Sequence, residues 1–349
     1  MEFSKKQFGE LAGRPVYEYT LKNKQGLSLS ALNFGGTVTG IRTPDRKGQF
    51  KNIVLGFDDI EDYVQYRPFY GCLVGRTAGR IDEGKFTLAG ETYQLQQSEG
   101  KNHHHGGNPA FDAYLWDTAL VEDGDTAHLV FSYFSPDGEN GYPGNLDVKV
   151  TYTLTEANEW IIHYEATTDK PTLFNPTNHI FFNLTGNHEQ TIKQHELQIR
   201  SDHVAEVRAD LIPTGKLMPV EGTDFDLREP QPLVKAIESE HPQLKMNGGL
   251  DTPFLLTHEA AKPDVILSEA NSGRQVVITT DRDAVVVYTH NGVSGNYQID
   301  GKKVEPYAGV ALETQQLPDA IHHQHFGHTI LYPGEVFHSE TIFQFEQDQ

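Results

Sequence analysis

The chain has 349 residues, enough for one large domain or two ordinary ones, and its 37% hydrophobic and 22% charged content is that of a globular protein. Lys plus Arg number 28 against 49 Asp plus Glu, a formal net charge of −21. Nucleic acid and anionic membrane both need a basic footprint, so this balance argues against them and favours a neutral or cationic small molecule as partner.

In chain order, the first helical signal is "DIEDYVQY" (59–66). It is followed by "GRTAGRI" (75–81), where strand alternation puts Arg76, Ala78 and Arg80 on one face. Such arginines either pair with surplus surface acids or donate paired hydrogen bonds to vicinal hydroxyls. "EGKNHHHGG" (99–107) carries three consecutive histidines before a Gly-Gly turn. Alternation lets only His103 and His105 converge, so a metal site would need a further ligand such as Glu313 or Glu335, and no spacing demands one.

The middle of the chain is strongly period-two. In "LDVKVTYTL" (146–154) Leu146, Val148, Val150, Tyr152 and Leu154 alternate with polar residues, and in "WIIHYEA" (160–166) Trp160, Ile162 and Tyr164 share a face. "HLVFSYF" (128–134), "QVVITT" (275–280) and "AVVVYTH" (284–290) are further strand-like runs, separated by turns such as "SPDGENGYPGN" and "YPGE". Helical periodicity recurs only in "PLVKAIESE" (232–240). No linker, composition shift or repeat divides the chain. The reading is all-β: one antiparallel domain over residues 1–349, a sandwich or barrel-like stack of sheets with its site in a cleft. No Gly-rich phosphate loop is present, so no nucleotide cofactor is expected.

Three stretches carry candidate chemistry. "PTNHIFFNLTG" (176–186), read as one strand, sends Ile180, Phe182 and Leu184 to the core and Thr177, His179, Phe181 and Asn183 to the other face, a surface suited to a sugar ring. "MNGGLDTPF" (246–254) delivers Asp251 from a glycine-rich loop, where an aspartate is as readily a turn former. "GVALETQQLPDA" (309–320) sets Glu313 in mid-strand on the face of Gly309 and Ala311, either toward solvent or on a pocket floor with space beside it. The histidines of "IHHQHFGH" (321–328) read as a solvated loop. The lone Cys72 permits no internal disulfide, the N-terminus has no apolar signal core, and no apolar run reaches membrane-spanning length, so a cytoplasmic location is expected.

Taken in order, "GRTAGRI", "HHGG" with "FDAYLW", "GYPGNLDVKVTYTL", "PTNHIFFNLTG", "GGLDTPF", "ALETQQLPDAIHH" and "HTILYPGE" resemble the aldose 1-epimerase (galactose mutarotase) family over residues 30 to 345. The resemblance implies a galactose mutarotase-like supersandwich, a sugar substrate and a site without metal or cofactor; a monomer or homodimer is expected. It puts the general base on Glu313, the general acid on His179, and sugar-binding groups on Arg80, His105 and Asp251, with Gly79 and Phe181 beside them. Two positions depart from the family pattern: Gly79, where asparagine is common, and Val286, where a glutamine often precedes an aromatic–Tyr pair. Both remove polar contacts and bear on which sugar is preferred, galactose, glucose or a disaccharide such as maltose. A non-catalytic carbohydrate-binding protein and a glycosidase pairing Glu313 with Asp251 are the competing readings.

Overall fold

The computed structural model describes residues 1–123, 126–293 and 295–347. Two antiparallel sheets carry half of the thirty strands of the described residues. The larger has nine strands, and its two halves meet on Phe337–Gln347, which lies between Glu159–Thr168 and Arg274–Thr280. Phe343 is the hinge of that register, opposite Trp160 on one side and Ile278 on the other. The second sheet has six strands in the order Phe181–Phe182, Val310–Gln315, Ala284–Tyr288, Asp251–Leu256, Ser201–Val207 and Pro213–Pro219. Five further strands, Glu2–Leu11 to Phe50–Asn52, form an N-terminal meander.

Alternation explains the layering. Leu146, Val148, Val150, Tyr152 and Leu154 are all buried while Asp147 between them is exposed. Trp160, Ile162 and Tyr164 join them in one apolar core with Val285, Val287, Val310 and Leu312 of the six-stranded sheet. Each such side chain contributes about 1.5–3 kcal/mol of transfer free energy on burial. The β-sandwich reading therefore holds.

Helices are few and short. Ile60–Tyr66 and Val234–Ile237 fall within the two segments whose periodicity suggested them. Pro242–Asn247 was not foreseen; its six residues begin on a proline at the first turn, with His241 as cap. Among the described residues no helix is long and apolar enough to cross a membrane.

One strand reading needs correction. "PTNHIFFNLTG" is not continuous: Thr177–Asn178 pairs with Leu73–Val74, whereas Phe181–Phe182 pairs with Val310 and Ala311. The chain changes partner between these pairs, and His179 sits at the crossover, its N–H bonded to Cys72 O (2.9 Å) and its carbonyl accepting from Gly71 N–H (3.0 Å). Asn178 locks the crossover from behind by donating to Gly71 O (2.9 Å) and Tyr152 Oη (3.0 Å). Ile180, Phe182 and Leu184 do enter the core. Thr177 and Asn183 do not face a sugar surface; they are buried and bond to the carbonyls of Thr314 and Ala308.

Candidate active site

A cleft of about 400 Å³ opens over the six-stranded sheet, and Glu313, His179, Arg80, His105, Asp251, Gly79 and Phe181 all line it. Glu313 is in the middle of Val310–Gln315, a strand buried along its whole length. Val310 and Leu312 point into the sandwich core, so period two turns Glu313 and Gln315 toward the cleft. The space beside the carboxylate has a different origin from that expected. A Cβ at Gly309 would meet Leu55 at 2.8 Å, and Ala311 is packed in an apolar cluster. The neighbour that leaves the cleft open is Val286, directly opposite Glu313 across the sheet and itself a lining residue.

His179 Nε2 lies 3.3 Å from Glu313 Oε1. Its ring is held between two aromatics, with Phe69 at 5.9 Å in a stacked arrangement and Phe181 at 4.9 Å. Phe181 is only 1% exposed, so its ring supports His179 and is not an open platform for a sugar. Burial pushes the Glu313 carboxyl up to about 8; the Asp251 charge adds to the rise and Arg80 opposes it. Burial likewise pushes His179 down to about 4. The pair thus carries one proton and no net charge near neutrality. At both groups desolvation outweighs the surrounding charges.

The histidine run differs from strand alternation. His103 is fully buried behind the cleft, its ring nitrogens 2.6 Å from Gln96 O and 2.7 Å from Tyr142 Oη. His104 and His105 are the pair that line the cleft, with ring centroids 3.8 Å apart. The strand ends at His104, and His105 takes a left-handed conformation (φ 47°) that swings its ring to the same side. The turn needs glycine next: a Cβ at Gly106 would stand 1.7 Å from Gly75 O. Gly79 N–H donates to His105 Nδ1 at 3.2 Å, which leaves the His105 proton on Nε2 as a donor. Gly79 also has φ +70°, and a Cβ there would meet Pro318 at 2.8 Å.

Arg76 and Arg80 have parted company. Arg76 is a buried structural residue, bonded among others to Ser135 Oγ (2.9 Å), Thr172 Oγ1 (3.0 Å) and the carbonyls of Pro143 and Gly144 (3.0 and 2.9 Å). It is neither a surface arginine nor near the cleft. Arg80 sits on the cleft wall and makes a two-point ion pair with Glu99, Nε to Oε2 at 2.5 Å and Nη2 to Oε1 at 3.0 Å. Burial works against the Arg80 charge, but Asp251 and Glu99 outweigh it and raise its pKa. Asp251 opens its strand opposite Tyr288; burial raises its pKa and Arg80 opposes the rise.

Sequence reasoning missed Glu99, Arg67, Phe69, His290 and Tyr297, which also line the cleft. The aromatic and basic density of "YRPFYG" was an available signal for Arg67 and Phe69; they come just after a helix end, at φ 44° and 62°. The late histidine loop is partly ordered, with His322 Nδ1 2.7 Å from Asp319 Oδ1 and Phe326 buried. His105, His179 and Glu313 also bring ligand-type atoms within 4.8 Å of one another, a different set from the His103/His105 pair with Glu313 or Glu335 that strand alternation left open.

A family model described as aldose 1-epimerase matches residues 17–344. This chain belongs to the aldose 1-epimerase family. It is 39% identical to a galactose mutarotase of Rattus norvegicus over 342 residues, covering 97% of each chain. A maltose epimerase of Levilactobacillus brevis is 32% identical over 346 residues, 99% of both chains. A solved galactose 1-epimerase from Lactobacillus acidophilus NCFM superposes with a TM-score of 0.89 at 30% identity, covering 100% of this chain and 99% of that one. The activity is that of an isomerase acting on the anomeric centre of an aldose, with a sugar as substrate.

Proposed function

We propose that the chain is a cofactor-independent mutarotase of free aldohexoses such as galactose and glucose, built as a single catalytic domain over residues 1–349. Mutarotation must remove a proton from the C1 hydroxyl and deliver one to the ring oxygen. The ring then opens to the aldehyde, C1–C2 rotates, and closure returns the other anomer. Glu313 is the base at the hydroxyl and His179 the acid at the ring oxygen, with the roles exchanged on closure. The observation that carries this is the 3.3 Å approach of a buried carboxyl to a buried imidazole. A neutral pair and its ion-pair form differ only in where that proton sits, so the relay needs no proton from solvent.

Hydroxyl recognition falls to groups that the protein leaves unsaturated. Glu313 Oε2, His179 Nδ1 and Gln315 Oε1 are buried without a hydrogen-bond partner among the described residues, an arrangement that a polyhydroxylated ligand satisfies. Arg80, His105 Nε2–H and Asp251 supply two donors and an acceptor around the ring, while Gly79 positions His105 and Phe181 backs His179. The His105/His179/Glu313 grouping acts as a proton relay and not as a metal ligand set, because a cation there would take the lone pairs that the relay uses. Accordingly, a chelator leaves turnover unchanged, and added Zn²⁺ inhibits; loss of activity on chelation followed by recovery with metal would reverse this assignment.

The decisive test is polarimetry on freshly dissolved α-D-galactose and α-D-glucose. Glu313→Gln and His179→Ala each lower kcat by about 10²–10⁴-fold with the fold intact. Near-normal turnover by Glu313→Gln would remove the carboxylate from the mechanism. A second reading, a disaccharide substrate, is supported by the apolar Val286 and side-chain-free Gly79 on the cleft wall; parallel assays on maltose separate the two. The acidic charge and the single cysteine support a cytoplasmic enzyme without nucleic-acid or membrane partners, working as a monomer or homodimer.

A further inference from the structure

We propose that Glu99 is a positioning residue: it fixes the Arg80 guanidinium in the orientation that meets the sugar and sets how much of its charge reaches Glu313. The inference rests on the assignment of Arg80 and Glu313 just given. A guanidinium has five N–H donors in a rigid fork. Glu99 takes Nε and one Nη2 hydrogen in a two-point bond, which defines the plane of the fork. The other donors meet no protein acceptor among the described residues and remain for a ligand.

Glu99 is itself well anchored. It starts a tight turn closed by reciprocal backbone bonds, Glu99 N–H to Asn102 O (3.0 Å) and Asn102 N–H to Glu99 O (2.9 Å). Asn102 in turn accepts from Glu83 N–H at 3.0 Å and donates to Asp210 at 3.2 Å. The turn leads straight into His103–His104, whose His104 pairs with Arg80 across the ladder. His104 Nδ1 lies 3.7 Å from the same Glu99 carboxylate. One carboxylate thus touches the sugar-binding arginine and a histidine of the cleft wall.

The exposures separate this role from a purely structural one. The Glu99 side chain is 42% exposed and that of Arg80 14%. An ion pair with one partner so open to water adds little to stability. Its consequence is felt inside the cleft, where Arg80 faces Asp251 and favours the Glu313 carboxylate. With Glu99 gone, the guanidinium loses its fixed plane and its compensating charge together.

The test is steady-state polarimetry across pH on Glu99→Ala, Glu99→Gln and Glu99→Asp, with melting curves and Glu313→Gln alongside. Glu99→Ala raises KM about 10-fold with kcat little changed. In Glu99→Ala and Glu99→Gln the alkaline limb of kcat/KM moves down by about one pH unit, because an uncompensated Arg80 favours ionised Glu313. Glu99→Asp, which keeps the charge, holds the limb at its wild-type position. The proposal is overturned if Glu99→Ala and Glu99→Gln keep the wild-type KM and limb, or if KM rises only in step with a lowered Tm while the limb stays fixed. An active Glu313→Gln would instead indict the reading of the site as a whole.

Discussion

Arg76 and Arg80 come from one motif, four positions apart, and both guanidiniums are withdrawn from solvent, yet they are opposite kinds of residue. Arg76 finds every partner within the protein, from Ser135, Pro136, Pro143, Gly144 and Thr172. Among the described residues Arg80 finds one, Glu99, and otherwise faces the cleft. Burial therefore does not distinguish structure from function here; satisfaction does. A charge saturated by its own fold is a bracket between loops, whereas a charge left partly unsaturated in a cavity is the kind on which the proposed sugar binding draws.

Exchanging the two roles by mutation tests that distinction most strongly. Arg76→Met strands several buried carbonyls and hydroxyls, and should destabilise the fold by about 3–5 kcal/mol. The molecules that still fold should keep the wild-type KM. Arg80→Met should do the reverse, raising KM by about 10–100-fold with Tm nearly unchanged. Urea melts and polarimetry on both variants check the cross; matching effects on stability and KM in the two would erase the distinction.

The pH profile sharpens it within the cleft. On the proposed mechanism the active form of the Glu313–His179 pair holds one proton. Above about 8 that proton is lost and no acid remains; below about 4 a second is bound and no base remains. A plot of kcat/KM should therefore be flat between these limits and fall tenfold per pH unit outside them. A limb near 6.5, the ordinary histidine value, would show that His179 titrates as an exposed residue does.

The contrast also explains what was legible in the sequence. Strands of the sandwich core announce themselves because one face is apolar and the other is not, as in Leu146–Leu154. Glu313 was legible for the same reason, as a carboxylate out of place in such a strand. Arg76 and the histidine run were misplaced because alternation holds only while a strand continues. The chain between Leu73–Val74 and Arg80–Ile81 leaves extended pairing, and His105 leaves it through a positive φ. Glu99 was invisible because its partner lies across a ladder 19 residues back, and nothing local marks it as different from any loop acid.

The smallest expected effect concerns the energetic cost of keeping Glu313 where it is. Its folded pKa, about 8, stands above the ordinary value of 4.5, so between those limits the folded state holds a proton that the unfolded state releases. Stability from this group is complete below 4.5 and is lost as pH rises through 8. Glutamine has the same shape and never ionises. Glu313→Gln should therefore melt with the wild type at pH 4.5 and above it by about 3–6 °C at pH 9. A variant more stable only where the wild-type carboxylate is ionised, and almost inactive throughout, would show that the fold retains a buried acid against its own stability. Equal melting at pH 9 would mean that Glu313 ionises without penalty, and the shared-proton account would fall with it.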